Sequence, residues 1–433
     1  MESNKDMPGD RMTPEDALKY IHSVKWQGSK PGLGRTRGLL ERLGSPEKGL
    51  KFVHVAGTNG KGSTAALTES VLRAAGYRTG LFISPYITRF NERMQALGAE
   101  ITDEELATLT GRIRPHADAL EDSPTEFELV TALAMMFYEE KACDIVVLEV
   151  GMGGRLDSTN VIDAPECAVI TNIGLDHTEQ LGETLELIAA EKAGIIKPGC
   201  EVVVYEQQES VLDVFRGAAA KLGASLTIPD FSKIEQVSDS ISGQTFKYKQ
   251  SPELTFSLVG EHQMKNASTV LETIYALRRR GWSIPDEAVL TGFASASWPA
   301  RFELLSREPY FIVDVGHNPQ CAETVRANLQ RYCDGKYRVL MIGVMADKDY
   351  KSLINILDDV ADAYVAVKPD YPRALSDAKL AAHLRSYGKP VVACGTVAEG
   401  VEAARNLARG QDGVACAVGS CYMAGDVRAQ FGL

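Results

Sequence analysis

The chain has 433 residues, 45% of them apolar and 24% charged, with a formal net charge of -12. That length exceeds one ordinary core and points to two domains, or at most three, while the acidic balance argues against the broad basic face that nucleic-acid binding needs. No apolar run approaches the ~20 residues of a membrane helix, and the polar start MESNKDMPGDRM lacks the apolar stretch of a signal peptide, so the expected compartment is the cytoplasm.

Short apolar runs alternate with helical patterns, the mark of βαβ units and a mostly parallel sheet. Strand KFVHVA, 51–56, leads into a glycine-rich loop and a helix with Ala65, Leu67, Val71, Leu72 and Ala75. Strand 78–84 follows, then a helix from Glu126 to Lys141, strands 144–150 and 166–172, a helix at about 184–193, and strand 201–205. The stretch 206–258 reads as a helix near 209–222 and a smaller, partly antiparallel segment containing TFKYK and LTFSL. A helix at about 262–280 ends in three arginines, which suit the negative end of a helix dipole.

Small residues and Pro299 interrupt the pattern at 294–301. A second alternation follows: strands 310–315, 337–344, 363–367, 390–394 and 413–419, with four helices between them. The expectation is a domain at 1–296, with a parallel-rich sheet covered by helices on both faces, and a smaller α/β domain of Rossmann-like type at 297–433. The eight cysteines include no C-x-x-C pair and read as small buried apolar groups.

The clearest local chemistry is the strand-loop-helix at 51–75. Its loop is Gly57-Thr58-Asn59-Gly60-Lys61-Gly62-Ser63. Glycines let backbone N–H groups turn toward phosphate oxygens, and the helix N-terminus adds partial positive charge. Lys61 reaches toward the phosphates of a nucleotide and the Ser63 hydroxyl suits Mg²⁺. The strict G-x-x-x-x-G-K-[ST] pattern fails, because Val55 holds the first position and Gly62 separates Lys61 from Ser63. The bland alternative is a glycine-rich turn with a solvated lysine.

Ligands in open α/β sheets bind beyond the carboxyl ends of the strands. Four first-domain strands end there in polar sequence: the 57–63 loop, Ser84-Pro85-Tyr86, Glu149 with Gly151-Met152-Gly153-Gly154-Arg155, and Gly174-Leu175-Asp176-His177. A carboxylate in DIVVLEV is costly unless it is paired or binds a cation, so Glu149 is either a metal ligand or half of a buried ion pair. A lone His177 is more often packed or exposed than a ligand, and Lys192, at a helix C-terminus, reads by itself as solvated. In the second domain Asp314, His317 and Arg301 form the corresponding polar cluster. Arg301 suits stabilisation of transferring phosphoryl charge, or else a domain-interface ion pair.

Together these motifs resemble the folylpolyglutamate synthase and dihydrofolate synthase family, a branch of the Mur ligases. The resemblance runs from about Pro31 to Arg428 through HVAGTNGKGS at 54–63, SPYITRFNERM at 84–94, VLEVGMGGRLDSTNVI at 147–162, TNIGLDHTEQLG at 171–182 and EKAGIIKPG at 191–199. It continues through GEHQMKNA at 260–267, WPARFE at 298–303, DVGHNP at 314–319, ADKDY at 346–350 and GSCYMAGDVR at 419–428.

The resemblance implies an ATP- and Mg²⁺-dependent ligase that joins L-glutamate to a folate or to dihydropteroate through an acyl phosphate. It assigns Gly57, Thr58, Asn59, Gly60, Lys61, Gly62 and Ser63 to ATP phosphates, with Gln263, Asn266, Arg301 and Asp314 also serving the nucleotide. Two metal sites are implied from Ser63, Ser84, Glu149, His177 and Lys192, the last as a carbamate. The implied catalytic set is Lys61, Glu149, His177, Lys192, Arg301 and His317, and Tyr86 and Asp157 fall on the folate side. Ala300 replaces the glycine of W-P-G-R, Tyr86 a frequent histidine, Ser158 a frequent alanine, and Val315 an alanine or glycine. The partners implied are small molecules, with no nucleic acid or membrane and a monomeric chain. The alternatives are another Mur-type amino-acid ligase, disfavoured by the ~50 residues before the phosphate strand, where such enzymes carry a sugar-nucleotide domain of ordinary domain size, and a P-loop NTPase switch.

Overall fold

The computed structural model describes residues 12–24 and 32–433. The polar N-terminal stretch and the start of the family-like region at Pro31 lie outside the described residues. By contact the chain divides into two units: Met1–Ser84, Phe90–Pro229 and Thr269–Ala288 in one, Pro85–Arg89, Asp230–Ser268 and Val289–Leu433 in the other. The sequence reading puts a boundary at 296/297, whereas contact groups 230–268 with the second unit. Val259 of that segment is buried in one core with Phe302 and Ile312, and Arg331 bonds Asp239 and Arg307 donates to Ser242, each at 2.6 Å.

The first unit is built on eight strands: β1 Phe52–Ala56, β2 Thr79–Phe82, β3 Met94–Ala96, β4 Ala99–Glu100, β5 Ile145–Glu149, β6 Cys167–Ile170, β7 Glu201–Val204 and β8 Ser225–Thr227. Their order is β4-β3-β2-β5-β1-β6-β7-β8. All pairings are parallel except the β2/β3 and β3/β4 edge. β1 and β5 are buried along their whole length, as expected of parallel strands covered by helices. In this sheet the observed strands are one to three residues shorter than the apolar runs that mark them, at one or both ends.

The sequence reading missed the β3/β4 hairpin and the helix Asp103–Asp118 after it. Strands of three and two residues carry no readable alternation, and the hairpin turns on Leu97 and Gly98, both left-handed. The helix does have a legible start, a Thr102–Glu105 capping box.

The second unit holds two sheets. A three-stranded antiparallel sheet, order β11-β10-β9, is made from β9 Ile234–Ser240, β10 Gly243–Tyr248 and β11 Leu254–Phe256. Phe246, Phe256 and Phe293 pack ring to ring against it. The larger sheet comprises β12 Glu303–Arg307, β13 Tyr310–Val313, β14 Arg338–Ile342, β15 Ala363–Val367, β16 Val391–Cys394 and β17 Val414–Val418, in order β12-β13-β17-β14-β15-β16. Only β12 is antiparallel to its neighbour, and it was absent from the expected five strands. Strand alternation serves two cores: Leu340, Ile342, Tyr364 and Ala366 face one set of helices, while Val339, Met341, Val365 and Val367 face the helix Val397–Arg409.

All eight cysteines are free; six are buried, and Cys321 and Cys421 are half-buried. Among the described residues no helix is long and apolar enough to cross a membrane.

Candidate active site

In the first unit the phosphate-type loop follows β1 directly. Gly57 has φ +153°, and a Cβ there would meet Thr171 Oγ1 at 1.8 Å, so the close approach of loop to β6 requires glycine. The backbone N–H groups of Thr58 and Asn59 both donate to the Asn172 carbonyl, at 2.8 and 3.3 Å. The Thr58 hydroxyl donates to Gly174 O at 3.1 Å. Lys61 opens the helix Lys61–Ala74 and donates to Thr58 O at 3.2 Å, with Ser63 buried in the first turn. The loops after β1 and β6 are thus tied together where the helix Lys61–Ala74 begins, at the positive end of its dipole.

Glu149 closes β5 opposite Val55 of β1. It is 4% exposed, and its Oε2 accepts the Ser84 N–H at 3.1 Å. Arg93 donates to the Ser84 hydroxyl at 3.3 Å. The ends of β2 and β5 therefore share one polar corner.

Lys192 overturns the expectation of a solvated lysine. It is 4% exposed, and its Nζ donates to the Gly57 carbonyl at 2.7 Å. The loop after β5 packs down on its helix: a Cβ on Gly154 would come within 2.8 Å of Glu191 O, and the Arg155 N–H donates to that carbonyl. Burial first, and the charge of Lys61 second, pull the Lys192 amine down to about 7. Helix-end statistics could not reveal this, because burial is set by a glycine-rich loop far away in sequence.

His177 takes a left-handed conformation (φ 51°) and its side chain is 44% exposed, 3.9 Å from Asp176. Among the described residues no three His, Cys, Asp or Glu side chains gather as a metal cage. Ser63, in the first turn after the loop, and Glu149, at the end of the neighbouring strand β5, are buried hard-oxygen donors. That sparse set fits Mg²⁺, which keeps waters and completes its shell with substrate phosphates.

On the expected folate side, Asp157 is 8% exposed. Its Oδ2 accepts the Met152 N–H at 2.9 Å, and its Oδ1 accepts the Thr159 N–H at 3.0 Å and the Thr159 hydroxyl at 2.5 Å. Burial pushes this carboxyl up from its ordinary value, against those donors. Thr159 also bonds His54 Nε2 at 2.9 Å. Sequence reasoning missed both residues, though a histidine between two valines of a buried strand was the available signal. Tyr86 falls in Pro85–Arg89, which groups with the second unit.

In the second unit Asp314 follows β13. Its Oδ2 accepts the Phe302 N–H at 2.8 Å and its Oδ1 the Gly316 N–H at 2.7 Å. Burial raises its carboxyl pKa while Arg301 lowers it. Ala300 and Phe302, on either side of Arg301, both have left-handed backbones, φ 56° and 49°. Hydrogen bonds from Ala300 N to Glu303 and from Val315 N to Ala300 O hold that strained turn. His317 Nδ1 lies 3.1 Å from Val315 O, and Asn266 donates to Gln263 Oε1 at 3.0 Å, both amides buried.

Comparison with known proteins agrees with this geometry. Residues 55–274 match the Mur ligase middle domain, and residues 300–421 match the Mur ligase glutamate ligase domain. The dihydrofolate synthase/folylpolyglutamate synthase of Bacillus subtilis is 40% identical over 372 residues, 83% of this chain and 86% of that protein. The chain belongs to the folylpolyglutamate synthase/dihydrofolate synthase family of Mur ligases. Members of this family are also its structural neighbours. A Mycobacterium tuberculosis folylpolyglutamate synthase complexed with ADP and AMPPCP aligns with TM-score 0.89 at 29% identity, covering 97% of this chain and 99% of that one. An Escherichia coli FolC in complex with DHPP and ADP aligns with TM-score 0.86 at 31% identity, covering 98% of both chains. As a family member the chain is an ATP-dependent amide-forming ligase.

Proposed function

We propose that the chain joins L-glutamate to a folate, extending a polyglutamate tail, and to dihydropteroate, making dihydrofolate, in both cases through an acyl phosphate. The observation that carries the reading is the buried Lys192 amine on the carbonyl of Gly57, at the floor of a loop built for phosphates. The double name of the Bacillus relative supports both acceptors.

The acceptor carboxylate attacks the γ-phosphorus of ATP, and ADP leaves. The neutral amine of glutamate then attacks the acyl carbon, and phosphate leaves as the amide forms. The N–H groups of 57–63 and Lys61 would hold the phosphates, and Arg301 would offset charge on the transferring group. Mg²⁺ would be held by Ser63, Glu149, Ser84, His177 and Lys192 as a carbamate, and when bound it supplies charge neutralisation to phosphoryl transfer. A Lys192 amine near 7 is substantially neutral at neutral pH, which is the form that reacts with CO₂. In the second unit Gln263, Asn266 and Asp314 would serve the nucleotide and His317 the incoming glutamate.

The functional domains are read as 1–296 and 297–433, and the two family matches, ending at 274 and starting at 300, leave room for that boundary. A cytoplasmic, monomeric enzyme with small-molecule partners completes the reading. The test is ADP release with glutamate and each acceptor in turn. Acceptor-dependent release with both is the expected result, and release with neither overturns the assignment.

A further inference from the structure

His54 has no part in the phosphate chemistry above, yet it lies at the centre of β1, 0% exposed, between Leu148 of β5 and Ala168 of β6. An apolar residue would suit a central parallel strand better. The imidazole is also poorly satisfied, since Nδ1 has no hydrogen-bond partner among the described residues. Burying such a group costs stability, so its retention calls for a task.

The hydrogen-bond directions supply one. The Thr159 hydroxyl has a single proton, and at 2.5 Å from Asp157 Oδ1 it donates there, because a carboxylate cannot donate. Toward His54 the same oxygen must accept, so His54 Nε2 carries the proton. Burial holds the ring neutral by pulling it down to about 3, which fixes one tautomer. His54, Thr159 and Asp157 thus form a one-way chain of donors ending on a carboxylate whose other oxygen is held by Met152 N–H.

We infer that His54 is a positioning residue for acceptor recognition: its Nε2–H locks the Thr159 hydroxyl onto Asp157 and so fixes the folate-side segment 151–159 that this carboxylate ties together. This rests on the reading of Asp157 as a folate-side residue. Oδ1 is filled by the two Thr159 donors and Oδ2 holds the Met152 N–H, so the carboxylate is the internal clamp of this loop, and a shift of Thr159 on loss of the His54 N–H moves the whole segment.

The test measures KM for the pterin acceptor and for ATP by ADP release, with thermal melts confirming that each variant is folded. His54→Leu is expected to raise the acceptor KM about tenfold with the ATP KM unchanged. His54→Gln, which keeps an N–H at the Nε2 position, is expected to restore it. In a Thr159→Val background, His54→Leu should add nothing further. If His54→Leu does not fold, His54→Asn, whose amide stops short of Thr159, takes its place. An acceptor KM within about twofold of wild type, a parallel rise in the ATP KM, or additivity with Thr159→Val overturns the inference. Asp157→Asn separates the two levels. If it leaves the acceptor KM unmoved, the folate-side reading fails; if it moves KM while His54→Leu does not, only the relay fails.

Discussion

The amine of Lys192 and the carbonyl of Gly57 are 2.7 Å apart, which joins the last turn of the helix Leu185–Ala193 to the first residue of the phosphate loop. With its pKa near 7, the buried amine is about half neutral at neutral pH, whereas an ordinary lysine is neutral in roughly one molecule in a few thousand. Carbamate formation is therefore expected to proceed at physiological pH. Activity should fall in CO₂-depleted buffer and return with bicarbonate, and ¹³C-bicarbonate should give a carbamate resonance that Lys192→Met lacks. The absence of both the CO₂ dependence and the resonance would argue against the modification. The sign of the pH effect follows from the lowered folded value: between about 7 and 10.5 the unfolded chain binds the proton and the native amine does not. Without CO₂, the stability advantage of Lys192→Met over wild type should be largest below pH 7 and vanish toward pH 10.5.

Gly57 is the other half of that relationship. A side chain there meets Thr171 Oγ1 at 1.8 Å and Thr171 Cα at 3.2 Å, so moving one rotamer does not relieve the clash. Its φ of +153° is also unfavourable for an L-residue. Gly57→Ala should cost at least ~2 kcal/mol in melts and raise the ATP KM more than the acceptor KM. Near-wild-type ATP affinity would show that the loop tolerates a shift away from β6.

Much of this architecture is written locally. Alternating apolar runs gave both parallel sheets, and capping residues such as Thr125 and Thr396 mark helix starts that the structure keeps. What escaped depends on tertiary contact. β12 is visible only as the antiparallel neighbour of β13, and the β3/β4 hairpin is too short for periodicity. Lys192 looked solvated because nothing in A-E-K-A-G shows that Gly154 packs over its helix. Asp157 was legible from the family motif, but the Thr159 that links it to His54 lies 105 residues from that histidine in sequence.

Asp314 shapes the turn that presents Arg301. Its two oxygens accept different backbone N–H groups, from Phe302 and from Gly316. Asparagine keeps one acceptor and turns an N–H₂ toward the other donor. Asp314→Asn should therefore lose about 1–3 kcal/mol of stability. The left-handed turn at Ala300 and Phe302 should relax, raising the ATP KM with it. An unchanged melt together with an unchanged ATP KM would show that the turn is held without the carboxylate.

Glu166, at the entry to β6, gives a pH-dependent case of opposite sign to Lys192. Burial pushes its carboxyl up, but hydrogen bonds from Arg280 Nε at 2.5 Å and Trp282 Nε1 at 3.3 Å outweigh it and hold the group below its ordinary value. A carboxyl depressed in the folded state stabilises fully above its unfolded value near 4.5 and loses that contribution as pH falls through the folded value. Glu166→Gln should thus lose about 1–3 kcal/mol at pH 7, because it leaves the Arg280 charge without its carboxylate. The difference from wild type should shrink steadily below pH 4.5. Urea melts at stepped pH check this: a gap that stays constant down to the acid limit would mean that packing of the Arg280 and Trp282 side chains, and not the charge on Glu166, holds this end of the helix Glu261–Arg279 to the sheet.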